Sequence, residues 1–266
     1  MFAIFIYICV AIARKMYNQN TIQQLKDRFG GRESFTRKEL YNFFCEEEPG
    51  LKETTFRWRI YDLKKDGVIR SLSRGVFAMG KLSIYVPGID ENIIKLGDSL
   101  SSQFSGLRYC IWPTKIINEF MLHIPGNSQT IIEVETDALE PVFNYLKDRK
   151  MSDVFLQPSE IELERYVSEK ENPIIIKSLV TRSPIQIVNN VPTVTLEKLI
   201  VDLFSDKKLF SAYQGSELTH IINKAIDKYS IDATKMLLYA TRKTKDKELT
   251  AFLKTRTDLP KTIFND

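Results

Sequence analysis

Residues 51–79 read LKETTFRWRIYDLKKDGVIRSLSRGVFAM. Phe56, Ile60 and Leu63 recur at helical spacing, so one face of a short helix is apolar. Its opposite face carries Thr54, Thr55, Arg57, Trp58, Tyr61 and Lys64. Asp66-Gly67 is a turn signal. After it, Val68-Ile69-Arg70 and Gly75-Val76-Phe77 read as two short strands, with residues 71–74 as their tip. Helix, tight turn and basic two-stranded wing is the plan of a winged helix-turn-helix. A helix with polar and cationic groups outward fits the DNA major groove. Arg70 and Arg74 on such a wing fall near a phosphate backbone, where cations displace condensed counterions.

The preceding segment supports this plan. In Phe35-Thr36-Arg37-Lys38-Glu39, Thr36 can cap the first-turn amides and Glu39 can reach back, a capping box. Leu40, Phe43 and Phe44 give that helix an apolar stripe, and Pro49-Gly50 ends it. An earlier helix near 21–29 completes a three-helix core. Helix pairs followed by a hairpin also occur in protein-interaction modules. Arg57, Arg59, Lys64 and Lys65 equally suit an ordinary solvated face.

With 266 residues the chain has room for one or two domains, and its 43% hydrophobic content is that of a globular protein. The net charge of +4 is unevenly spread. Residues 14–81 sum to about +6, residues 82–234 to about −6 and the remaining tail to about +4. A basic first module and an acidic middle confine any nucleic-acid contact to the ends. The three cysteines, Cys9, Cys45 and Cys110, are scattered, two of them in apolar surroundings. They give neither a disulfide framework nor a metal spacing. His123 and His220 stand far apart without a ligand cluster.

Residues 1–13, MFAIFIYICVAIA, form an apolar run too short to span a bilayer. A secretory signal wants its cations before the run, whereas Arg14 and Lys15 follow it. A weak anchor, a short packed segment and a true start at Met16 are the three readings. Met16-Tyr17-Asn18 before an amphipathic helix favours the last, and a cytoplasmic protein.

Past residue 80 the pattern changes. A strand is expected over 81–86, broken by Pro87-Gly88, then a helix over 90–104 with Ile93, Ile94, Leu96 and Leu100 inward. Strands are expected over 107–112, 130–135, 153–156 and 173–179, and helices over 116–122 and 140–149. From Val191 the chain reads as helical: 195–204, then 216–229 capped by Ser216, 232–241 capped by Asp232, and 247–255. The expected fold is α/β (α+β): an N-terminal winged helix-turn-helix over 16–80, then a mixed-sheet α/β domain with a C-terminal helical bundle over 81–266.

Glu133, Glu135 and Asp137 form one acidic constellation. Alternation puts Glu133 and Glu135 on one face of a strand, where two carboxylates can hold Mg²⁺. A nuclease would pair Glu135 with Lys177. The bland reading is a polar face on an edge strand. No Gly-rich phosphate loop precedes the pair, and Asp98, Ser99, Ser101 and Ser102 lack a neighbouring His, so catalysis is not expected and neither is a cofactor. The tail through Lys235, Arg242, Lys243, Lys245, Lys247, Lys254 and Arg256 reads as a solvated face or as a second contact to an acidic partner.

The stretch FTRKELYNFF…PGLKETTFRWRIYDLKKDGVIRSLSRGVFAM resembles the N-terminal winged-helix domain of AbiEi-like antitoxins of bacterial type IV toxin–antitoxin and abortive-infection systems. The block VPTVTLEKLIVDL (191–203), then Tyr229-Ser230-Ile231-Asp232 and Leu238-Tyr239-Ala240-Thr241-Arg242-Lys243, is similar to that family's second half. The resemblance implies a repressor that binds promoter inverted repeats in double-stranded DNA, and a second domain that neutralises a nucleotidyltransferase-like toxin without needing a stable complex. It places DNA contacts at Thr54, Thr55, Arg57 and Trp58, with Tyr61 and Lys64 on the same face, and at Arg70 and Arg74. It makes Glu197, Lys198 and Asp202 antitoxin candidates, although internal ion pairs of a helix explain them as well. The other reading is a stand-alone winged-helix regulator whose second domain senses a ligand or partner.

Overall fold

The structure is a computed structural model and describes residues 17–264; the apolar start and its three readings lie outside the described residues. The chain is of mixed α/β class, and its described residues divide into two units, 17–83 with 260–264, and 84–259.

In the first unit, Asn18 caps α1 (Gln19–Phe29) by accepting from the Thr21 amide. β1 (Phe35–Thr36) leads into α2 (Arg37–Glu47). Its capping box is complete: Thr36 Oγ1 accepts from the Glu39 amide at 3.2 Å, and the Glu39 carboxylate accepts from the Thr36 amide at 2.7 Å. α3 (Glu53–Lys65) ends in a Schellman turn, with the Val68 amide donating to Leu63 and the Gly67 amide to Lys64. Gly67 has φ +71°, the left-handed region that only glycine enters without penalty. β2 (Ile69–Ser73) and β3 (Val76–Met79) pair antiparallel, and β1 adds to the far edge of β3. Three helices and this three-stranded sheet make a winged helix.

The wing strands run longer than expected, because Ser71 and Ser73 pair with Phe77 and Val76. A bulge between Ser71 and Ser73 absorbs the change of register, and the tip shrinks to Arg74-Gly75. Phe29, Phe35, Leu40, Phe44, Phe56 and Leu63 form the core, with the Phe29 and Phe35 rings stacked at 4.3 Å. Burial of such surface, worth about 25 cal/mol per Å², holds the unit together. The chain end contributes: Ile263 is buried, and the Thr262 and Ser34 hydroxyls share a 2.6 Å hydrogen bond.

The second unit is built on β4 (Tyr109–Pro113), β5 (Thr130–Val134), β6 (Val154–Leu156) and β7 (Ile174–Ser178), in the order β4-β5-β7-β6. β4 is antiparallel to β5; β5, β7 and β6 are mutually parallel. Alternation sends Tyr109, Ile111, Ile132, Val134, Ile174 and Ile176 to one face, covered by α4 (Glu91–Gln103) and α5 (Leu139–Asp148). Cys110, Trp112, Ile131, Glu133, Ile175 and Lys177 point to the other, toward α6 (Leu196–Ser205), α7 (Ser216–Lys228), α8 (Ala233–Arg242) and α9 (Asp246–Arg256). Thr195 caps α6 and Asp232 caps α8, each accepting an amide of the first turn.

Four expectations need correction. No strand spans 81–86; there Tyr85 packs against Phe120 and Tyr229 while Ile84 and Val86 face outward. The chain does not turn helical at Val191, because β8 (Ile185–Val188) and β9 (Val191–Val194) form a hairpin first. Its turn, Asn189-Asn190, has φ +49° and +64°, the pair of left-handed residues that a two-residue hairpin requires. β9 runs against β4 and α4, where a Cβ on Gly97 would meet Val191 at 2.9 Å. Ser216 does not cap α7; Gly215 occupies that position at φ +69°. Finally, β5 is an interior strand that ends at Val134, so Glu135 leaves the sheet and opens a 3₁₀ turn.

Candidate functional site

On α3, Phe56 and Leu63 are buried and Ile60 half-buried, which turns Thr54, Arg57, Trp58, Tyr61, Lys64 and Lys65 outward. Thr55 is half-buried. Trp58 and Tyr61 are 61% and 56% exposed and meet edge to face, ring centroids 5.8 Å apart. Arg57 Nε donates to Glu53 at 3.2 Å, and Glu53 also pairs with Arg37. These two guanidiniums hold the Glu53 carboxyl below its usual range, the Arg37 hydrogen bond being the largest cause. The one acid in the first turn of the helix is thus neutralised by cations. Arg59 belongs to the framework instead: it lies over the Phe44 ring and pairs with Glu48. Arg70 folds back along the hairpin and donates to the Met79 carbonyl at 2.8 Å, half-buried, with its pKa lowered by burial. Arg74 is exposed at the wing tip.

The second unit gathers a ring of six charges from β5, β7, α6 with its C-cap, and the C-cap of α8. Lys198 Nζ lies 2.6 Å from Glu133 Oε2 and 2.6 Å from Asp202 Oδ2. Lys243 Nζ lies 2.9 Å from Asp202 Oδ1 and 3.1 Å from Asp206. Lys177 pairs with Asp206 and stands 3.9 Å from Glu133, which closes the ring. Three ammoniums alternate with three carboxylates. The Tyr239 hydroxyl donates to Asp202 Oδ1 at 2.8 Å and receives from Lys198 at 3.1 Å. Lys198, Glu133 and Asp202 are inaccessible, whereas Lys177 and Asp206 keep 19% and 25% of their side chains exposed. The ring is buried at one end and open at the other.

Burial alone would raise the Asp202 pKa, but Lys198, Lys243 and Lys177 outweigh it and hold the carboxyl well below its usual value. Burial would lower Lys198; Asp202 and Glu133 outweigh it and push the ammonium well up. Cys110, beside Glu133 on β4, is fully buried, and burial chiefly raises its thiol. The lysines stand where a divalent cation would have to bind, and among the described residues no three His, Cys, Asp or Glu side chains come together as metal ligands.

Sequence reasoning singled out Glu133, Glu135, Lys177, Lys198 and Asp202, and the structure sorts them. Glu133, not Glu135, is the register partner of Lys177; Glu135 is exposed and lies 3.9 Å from Arg108. Glu197, Lys198 and Asp202 are all buried. Glu197 accepts from the Asp232 amide at 3.0 Å and meets Lys235 at 3.4 Å, tying α6 to α8. Asp206, Tyr239 and Lys243 went unassigned to this site. A signal was present: 198, 202 and 206 form an i, i+4, i+8 charged stripe along a largely apolar helix and its C-cap. Of the basic tail, Lys243 is a ring member and Lys245 pairs with Glu248.

At the open end of the ring lies a cleft of about 610 Å³, lined by Lys177, Lys207, Lys208 and Lys245, by Asp206 and Glu160, and by Leu163, Ile175 and Leu209.

Fold and sites define a two-part protein, a winged helix followed by an α/β unit with a buried ring of charge. The chain belongs to a family of unknown function, DUF6577, whose model matches residues 55–258. No curated protein matches the chain. Among the described residues no helix is long and apolar enough to cross a membrane.

Proposed function

We propose that the chain is a DNA-binding antitoxin and transcriptional autorepressor of a bacterial type IV toxin–antitoxin (abortive infection) system. It acts in the cytoplasm, by binding rather than turnover. The observation that carries the DNA half is the outward face of α3, where Thr54, Arg57, Trp58, Tyr61 and Lys64 stand clear of the core beside a wing tipped by Arg74. That placement supports α3 as the groove-reading helix. The antitoxin half is supported by the AbiEi-like resemblance of the 191–203 block. Because Glu197, Lys198 and Asp202 are buried, their role in that half is to shape the surface above them.

The test is fluorescence anisotropy with the chain's own promoter across a salt series. Affinity is expected to fall by about 0.9 log unit per phosphate contact for each log unit of salt. Arg57→Ala is expected to weaken binding by roughly 1–3 kcal/mol if Arg57 reads a base. Unchanged promoter affinity in Arg57→Ala would remove α3 as the recognition helix. Co-expression with the neighbouring gene tests the antitoxin half: rescue of growth from a toxic neighbour is the expected outcome.

The lysine-lined cleft favours a second reading, a stand-alone winged-helix regulator whose second unit senses a ligand. It predicts the same promoter binding without protection against any toxin.

A further inference from the structure

We infer that the cleft at the open end of the charge ring binds a small phosphate ester of nucleotide size. The inference stands independently of the DNA-binding reading, since every residue it uses lies in the second unit.

The size of the cleft, about 610 Å³, is within the ordinary range of small-ligand pockets. Its polar wall is cationic in excess, with four lysines against two carboxylates. Lys177 is anchored by Asp206 and Glu133 in the ring, so its ammonium is held in place at the floor. Lys207 lies over the Phe204 ring at 5.6 Å, Lys208 pairs with Glu160, and Lys245 with Glu248. The Lys208 and Lys245 pairs are exposed, and such pairs are weak enough for a phosphate to displace the carboxylate. A phosphate ester offers several charged oxygens to three or four ammoniums at once, which a single carboxylate does not.

The rest of the lining decides what the phosphate is attached to. Leu163, Ile175 and Leu209 give the cleft an apolar side. Inorganic phosphate leaves that side unused; a base or comparable flat apolar group fills it. A nucleic-acid strand is disfavoured by the segment that supplies Leu163 to the cleft, where Glu162 and Glu164 are exposed against the single cation Arg165.

The experiment is isothermal titration of the full-length chain with ATP, GTP, CTP and UTP, their monophosphates, adenosine, inorganic phosphate and a single-stranded 20-mer. At least one nucleotide is expected to bind, with adenosine and inorganic phosphate each weaker by about tenfold or more. Lys207→Ala/Lys208→Ala, two exposed positions on which the fold does not depend, is expected to weaken the nucleotide by about tenfold or more while leaving the urea midpoint unchanged. The inference is overturned if no nucleotide binds, or if the double variant binds as well as the native chain. Equal affinity for inorganic phosphate, or tighter binding of the 20-mer lost in the same variant, overturns it as well. None of these outcomes bears on promoter affinity, which is read through Arg57→Ala.

Discussion

Lys198 shows how much one side chain can carry. It is inaccessible, and it touches Glu133, Asp202 and Tyr239 together. Removing one ammonium from the buried ring leaves three carboxylates against two ammoniums, one buried charge in excess, at a cost of about 3–5 kcal/mol. Lys198→Met is therefore expected to lower the urea-unfolding free energy by that much at pH 7. Lys208→Ala, which breaks the exposed pair with Glu160, should change it by less than about 1 kcal/mol. The pH dependence follows the signs of the shifts. Asp202 is depressed in the folded state, so its contribution is fully present above the unfolded value of about 3.9 and is lost as pH falls through the folded one. Lys198 is elevated, so its contribution is fully present below about pH 10.4 and is lost as pH rises through its folded value. In Lys198→Met the stranded carboxylates favour protonation, so the deficit should shrink as the urea series is carried from pH 7 toward pH 4. A deficit that stayed constant with pH would mean that lost packing, not lost charge, is the cause. The sequence shows Lys198, Asp202 and Asp206 at a spacing of four, which marks one face of α6 and none of the partners across from it. The ring draws its other members from β5, β7 and the residues that follow α6 and α8, and the end of β5 at Val134 decides that Glu133 rather than Glu135 faces it.

At the scale of elements, local chemistry tells in advance where helices begin and end. Thr36-Glu39 and Asp232 cap as expected, and Asp66-Gly67 stops α3 where the apolar spacing ends. The hairpin β8–β9 was hidden for a physical reason. Its turn depends on two asparagines in the left-handed region, a weaker signal than Asn-Gly, and Pro192 inside β9 argues against a strand. The absent 81–86 strand is the opposite case, an apolar alternation with no strand to pair with. Gly67 offers the test at this scale. A side chain there needs a positive φ that costs an L-residue roughly 1–2 kcal/mol, and a Cβ would also meet the Lys81 side chain at 3.2 Å. Gly67→Val is expected to cost at least that much in urea unfolding, and to weaken promoter binding further by disturbing the turn that sets β2 against α3. If Gly67→Val binds the promoter as tightly as the native chain, the turn does not position the wing.

Over the whole molecule, fold class was legible because periodicity and turn chemistry are local, while the membership of the last residues was not. Residues from Pro260 onward belong with the first unit, although the sequence places them directly after the helices of the second. Nothing in Pro260-Lys261-Thr262-Ile263 announces this; only the buried Ile263 and the Thr262–Ser34 hydrogen bond reveal it. The consequence is directional. A chain ending at Leu259 loses the Ile263 side chain from the first unit, a deletion comparable to Ile→Ala and worth about 2 kcal/mol or more, while the internal packing of β4–β7 stays intact. Hydrogen–deuterium exchange, read peptide by peptide, separates the two. Amides of α1 and α2 are expected to exchange faster in the shortened chain, while those of β5 and β7, beneath the charge ring, keep their protection. Equal loss of protection in both units would mean that the two unfold as one body and that residues 260–264 stabilise the molecule as a whole.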